Sequence, residues 1–173
     1  NLIDLPPSVP DVAPPIYVGE EGAFIFAWKN QPTNGNIDTL VDAGLIEYTG
    51  NVSAFYSNDE FMGISGYWTI YADNATITLK QFNQLRFIYI SSDSQWEYSG
   101  PLSDELTSLN LESNDINWSY SGPLPPNLQY LWLYGNNINW SYSGSLPNNL
   151  KELELLGNNI NWTGYDIGNA DIA

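Results

Sequence analysis

The sequence predicts a mainly β protein. A stacked repeat array with strands on both faces is preceded by a β-rich N-terminal block and an extended proline-rich arm. Three observations carry this. Blocks of similar sequence recur at intervals of 22 residues from Leu106, Leu128 and Leu150. Within each block apolar residues alternate with polar ones, the period-2 signature of a strand with one buried face. Glycine and proline then interrupt each block where a helix would otherwise form, as at Gly122, Pro123, Pro125 and Pro126.

Residues 1–15 (NLIDLPPSVPDVAPP) hold five prolines and almost no core-forming pattern. They read as an extended, polyproline-like arm. The arm is expected to lie on a surface, of its own domain or of a neighbouring subunit.

Residues 16–82 read as a β-rich block, with candidate strands at 23–29, 44–48, 52–56 and 67–79. The last is a candidate hairpin broken around Asp73 and Asn74. Residues 31–36 (QPTNGN) form a turn cluster, and 37–43 fit one short helical turn. Two forms remain open for the block: irregular early coils, or a small β cap on the array.

Residues 83–163 hold about four coils. The copies begin LTSLNLESNDINWSYSG at Leu106, LQYLWLYGNNINWSYSG at Leu128 and LKELELLGNNINWTG at Leu150. A looser copy, LRFIYISSDSQWEYSG, begins at Leu85. The register runs through Leu85/Ile88/Ile90, Leu106/Leu109/Leu111, Leu128/Leu131/Leu133 and Leu150/Leu153/Leu155. One such strand cannot bury its apolar side alone, whereas stacked parallel copies can. Ile116-Asn117-Trp118-Ser119-Tyr120-Ser121 alternates again, as does its copy from Ile138, so each coil is expected to carry a second strand. Trp118, Trp140 and Trp162, with Tyr120 and Tyr142, then fall on the inward face as core.

The spacing LxxLxLxxNxI, with LPxxL links at 124–128 and 146–150, resembles the leucine-rich repeat family. The resemblance implies a leucine-rich-repeat solenoid, here with strands on both faces rather than helices on one. It also implies that Asn114, Asn136 and Asn158 form an asparagine ladder inside the coil, their amides bonding backbone groups of the turn. Such proteins are often recognition modules.

Residues 164–173 (GYDIGNADIA) read as a C-terminal tail, too short for a further coil. Asp166, Asn169 and Asp171 miss calcium-loop spacing and lack its closing Glu. The last coil is expected to leave an apolar, unpaired end, which is a template for association. The chain begins with Asn1, as a processed mature chain or a fragment would.

Composition narrows function. Four basic and 20 acidic side chains leave a net charge of −16, and Lys29, Lys80, Arg86 and Lys151 form no patch for phosphates. No nucleic-acid partner is expected. No apolar run reaches the about 20 residues of a spanning helix, so no membrane span is expected. With no cysteine and no histidine, thiol nucleophiles, disulfides and histidine-based triads are excluded, and no metal site or cofactor is expected. Neighbouring carboxylates such as Asp104 and Glu105 point to opposite faces of a strand. No catalytic residue is expected.

Two sets of residues remain. Asn51, Asn74, Asn117, Asn139 and Asn161 head Asn-x-Ser/Thr sequons. The last three recur with the repeat and are expected to point outward in register, as a row of N-linked glycans. Phe87, Tyr89, Tyr130, Trp132 and Tyr134 are expected on the outward face of the first strands, rimmed by Glu112, Glu152 and Glu154 as a binding or assembly patch. The reading is a non-catalytic, acidic, extracellular or cell-surface structural protein. It is expected to self-assemble head to tail into a filament or surface layer as a glycosylated homo-oligomer. The alternative is a surface recognition or adhesion module for a protein or carbohydrate, alone or as a piece of a larger adhesin.

Overall fold

The computed structural model describes residues 8–91, 93–113, 115–134, 137–142, 144–155, 161–162 and 171–172. The fold is mainly β. In chain order come β1 (Ile16–Val18), β2 (Gly22–Trp28), the helix α1 (Ile37–Asp42), β3 (Ile46–Phe61) and β4 (Ile64–Leu79). The repeats then contribute β5 (Leu85–Ile90), β6 (Ser94–Tyr98), β7 (Ser108–Leu111), β8 (Asp115–Tyr120), β9 (Tyr130–Leu133) and β10 (Asn139–Tyr142). Last come β11 (Glu152–Glu154), β12 (Asn161–Trp162) and β13 (Asp171–Ile172).

These strands make one sheet, curled into a half-barrel. β5, β7, β9, β11 and β13 pair in parallel as a first ladder. β6, β8, β10 and β12 pair in parallel as a second. The N-terminal strands join the two. β1 and β2 run antiparallel to β4, and beyond it β1 pairs with β6 and β2 with β5. Sheet pairing therefore crosses from the N-terminal block into the repeats, and both share a single main core. Residues 16–82 form β strands and one short helix, joined to the repeat strands in the same sheet.

The ladders differ in register. In the first, partners along β7, β9 and β11 are 22 residues apart, as in Ser108–Tyr130–Glu152. In the second they are 20 apart, as in Ser119–Asn139 and Asn161–Ser141. Each second-ladder strand thus slips two residues past its neighbour, a shear that accompanies curling of a twisted sheet. Between the ladders Leu109, Leu111, Leu131, Leu133 and Leu153 meet Ile116, Trp118, Ile138 and Trp140, all buried. Burying each such side chain stabilises the fold by about 1.5–3 kcal/mol.

The predicted strands at 44–48 and 52–56 are one strand, β3. At the corner Gly50, φ +89°, stands opposite two residues of β4, Asn74 and Ala75, a bulge in β4 past which the pairing continues. Likewise residues 67–79 do not split into a hairpin: β4 passes through Asn74 in a left-handed conformation, φ +47°. The hairpin lies between β3 and β4, where Met62 and Gly63 both have positive φ and Phe61 faces Ile64, the two-residue type I′ arrangement.

The expected helical turn is α1. Asn36 accepts from the Asp38 N–H at 3.0 Å while Thr39 Oγ1 accepts from the Asn36 N–H at 3.1 Å, a reciprocal cap. Ile37 and Leu40 anchor it in the core. It ends where Gly44, φ +72°, and Leu45 donate back to the Val41 and Leu40 carbonyls.

The described part of the arm lies on its own chain. The Ala13 N–H donates to the Leu79 carbonyl, the Phe82 N–H donates to the Asp11 carbonyl, and Ala13 is buried. Asp171–Ile172, expected as tail, pairs in parallel with Glu152 and Leu153 as a further rung of the first ladder. The partner spacing there is 19 residues, short of a full repeat, which is why the repeat pattern did not reveal it.

Candidate functional site

The outward surface of the first ladder is a face of aligned columns. Strand registers place Phe55, Thr69, Ile25, Tyr89, Asn110, Trp132 and Glu154 in one column. Ala27, Phe87, Ser108, Tyr130 and Glu152 form the next. The structure therefore brings the predicted Phe87, Tyr89, Tyr130 and Trp132 onto one face, with Tyr134 in ring contact with Trp132 at 6.2 Å.

Much of that face is covered. The tip of the β3–β4 hairpin outruns β2 and folds over it. Phe61 lies 5.8 Å from the Phe87 ring and 6.0 Å from that of Tyr89. Ser108 Oγ donates to the Met62 carbonyl, and Ile64 is buried with Ala27 and Phe87 in a second, smaller core. Phe87, expected to be exposed, is 0% exposed. Its outward facing follows from strand alternation; its cover comes from a hairpin 20 to 30 residues earlier in the chain. Arg86 holds the hairpin's stem, donating from Nη2 to the Gly66 carbonyl at 3.4 Å and from Nε to that of Trp28 at 3.3 Å. Lys29 and Lys80 pair with Glu105 at 3.2 Å and Glu47 at 3.1 Å. Three of the four cations thus serve the fold.

Under and beside the hairpin tip the polar atoms are unevenly matched. Tyr89 donates to Glu112 at 2.9 Å; burial first, then that bond and the carboxylate's charge, push its hydroxyl up to about 12. Along the same column Asn110 Oδ1, Trp132 Nε1 and Glu154 Oε2 are buried without a partner. They alternate acceptor, donor and acceptor on neighbouring rungs. Pattern reading cannot find this feature, because it depends on which side-chain atoms the folded chain buries.

The sequon asparagines Asn51, Asn74, Asn117 and Asn139 are exposed. Asn161 lies on β12, and its side chain falls outside the described residues, as do Asn114, Asn136 and Asn158 of the expected ladder. The repeat-borne sequons are not in register. Asn139 faces Ser119, and Asn161 faces Ser141, so each asparagine stands opposite the sequon serine of the preceding coil. The two-residue slip of the second ladder is the cause.

Open clefts accompany the sheet. One of about 620 Å³ is lined by Glu21, Asn51, Ser53, Tyr71 and Asp73, among others. Among the described residues no group of three acidic side chains is placed to hold a metal ion, and no helix is long and apolar enough to cross a membrane.

Residues 68–72 of β4 pair with both β2 and β3, so β3 lies on the far edge. Among the described residues β3 pairs with β4 alone, and β12 and β13 each pair on one side only. No protein family, curated protein or solved structure matches the chain.

Proposed function

We propose that this is a non-catalytic, extracellular structural protein: a glycosylated subunit that self-assembles head to tail into a filament or surface layer. Its repeats are read as a leucine-rich-repeat solenoid with strands on both faces, four coils long, with residues 16–82 as its N-terminal cap. The observation that carries the reading is that, among the described residues, the sheet has an edge without a strand partner at each end of the stack. An exposed edge is a row of free N–H and C=O groups, and two dissimilar edges at opposite ends join copies in an open chain rather than a closed dimer. Residues 8–15 of the arm are engaged within their own chain and so do not bridge copies. Glycans on Asn51, Asn74, Asn117, Asn139 and Asn161 would cover the outward surface, and Asn114, Asn136 and Asn158 would brace the coil turns.

Electron microscopy and sedimentation of the intact chain at neutral pH test this. Fibres or sheets with a regular repeat are expected. Because each copy carries −16, association should strengthen with added salt. A monomer at high concentration and moderate salt overturns the reading.

A second reading is favoured by one observation, the unpartnered Asn110, Trp132 and Glu154 atoms. They offer an acceptor, a donor and an acceptor along a column that carries aromatic rings, a pattern that matches carbohydrate hydroxyls. A glycan-binding survey tests it: Trp132→Ala should abolish any binding found, and unchanged binding removes this reading.

A further inference from the structure

We infer that the junction between copies is an antiparallel β-pairing: β3 of one copy lies across the C-terminal rung, β12 and β13, of the next. This rests on the self-assembly reading and gives it a specific interface.

Shape comes first. Each rung of the stack has two limbs meeting at a corner, one limb in each ladder. β3 has the same form, because Gly50 bends it between residues 46–49 and 51–57. Residues 52–56 lie in line with the first ladder through β4 and β2. Residues 48 and 49 lie in line with the second through β4 and β1. A copy displaced along the stack axis therefore brings one limb to β13 and the other to β12 together.

Direction follows from the pairing. β3 is antiparallel to β4, β4 to β2 and β2 to β5, so β3 runs opposite to β5 and to every first-ladder strand parallel with it. The same holds for the second ladder through β1. Translation without inversion thus makes both contacts antiparallel, the slightly more stable pairing per residue, at a rung spacing of about 4.8 Å.

Chemistry agrees. Exposed edges are usually blunted by lysine, proline or inward charges, and β3 contains neither lysine nor proline. Its charges lie at Glu47, Asp59 and Glu60, leaving residues 48–58 neutral in a chain of net charge −16. The most exposed large apolar side chain among the described residues, Phe55 at 57%, stands on this strand beside Tyr71. A neutral, apolar-flanked edge is where two strongly acidic copies can meet with least repulsion.

The native chain has no cysteine, so engineered thiols report the junction directly. The strand registers put Ser57 in line with Asp171, so a chain carrying both Ser57→Cys and Asp171→Cys, oxidised after assembly, should give a ladder of covalent oligomers on a reducing-sensitive gel. Phe55→Cys with Asp171→Cys samples the next register. Chains with a single substitution should give no ladder. Of Val52→Pro and Ser53→Pro, one removes an N–H directed to the free edge, because successive N–H groups alternate sides, and that variant should lose assembly while staying folded. Fibres that show no cross-link with either thiol pair overturn the junction but leave self-assembly standing. Covalent dimers from Ser57→Cys alone, marking β3-to-β3 pairing, overturn it too. Absence of any assembly removes both.

Discussion

The indole Nε1 of Trp96 donates to the carbonyl of Pro14 at 3.0 Å, across 82 residues of chain. In the next two coils the equivalent donors, Trp118 and Trp140, reach back 18 residues to the carbonyls of Gly100, at 2.9 Å, and Gly122, at 3.1 Å. Trp96 has no preceding coil. The arm takes its place, and so the first repeat is satisfied in the same manner as those that follow.

Replacing Trp118 by Phe leaves a buried carbonyl unpaired and should cost about 1–3 kcal/mol. Trp96→Phe should cost a similar amount. Deleting residues 8–15 should cost more than Trp96→Phe, since it also removes the Ala13 N–H bond to Leu79 and the buried Ala13 side chain. Urea denaturation of the three variants checks the order; a deletion as stable as the parent would contradict the arm's role.

Trp132 should respond oppositely. Its N–H is buried without an acceptor, and Trp132→Phe removes that donor while keeping an aromatic ring. Stability should stay level or rise by about 1 kcal/mol. Thermal melts of this variant beside Trp118→Phe make the comparison.

Three glycines should rank by what surrounds them. A Cβ at Gly50 would lie 2.3 Å from the Asn74 backbone oxygen, and at Gly63 2.8 Å from the Tyr130 ring. At Gly44 the nearest atom is 3.7 Å away. All three have positive φ, so Gly44→Ala should lose about 1 kcal/mol from conformation alone. Gly63→Ala should lose more, by lifting the hairpin tip, and Gly50→Ala most, since backbone must move. Denaturant midpoints give the order directly.

Alkaline pH should destabilise the fold. Tyr89 and Tyr98 are both raised from 10 to about 12, chiefly by burial. Above pH 10 an unfolded chain releases these protons while the folded one keeps them, so stability is full below pH 10 and falls between 10 and 12. Tyrosinate absorbance followed with circular dichroism should show a late-titrating class that ionises as structure is lost. Tyr89→Phe should shrink that class.

Glycan placement gives a further check. Because Asn139 faces Ser119 rather than Asn117, neighbouring sequons are offset by two residues along the strand, and their separation is about 8 Å instead of one rung. Mass spectrometry of glycopeptides should find Asn117 and Asn139 occupied on the same molecule. Strictly alternative occupancy would contradict the offset's consequence.

The repeat, its two strands per coil and their inward leucines, isoleucines and tryptophans were legible in the sequence, because period-2 alternation is local and is copied at a fixed interval. The helix at Ile37–Asp42 was legible for the same reason: its cap and its stop lie within ten residues. What only the tertiary structure decided depends on chain segments far apart. Phe87 and Phe55 are both aromatic residues on outward faces, yet one is sealed by a hairpin tip and the other is open. The two-residue slip of the second ladder arises from shear across the sheet, which no single strand encodes. The pairing of β1 and β2 with β4, which closes one end of both ladders and leaves β3 as a free edge, is a contest among strands of similar composition. It is settled by which apolar faces reach the shared core.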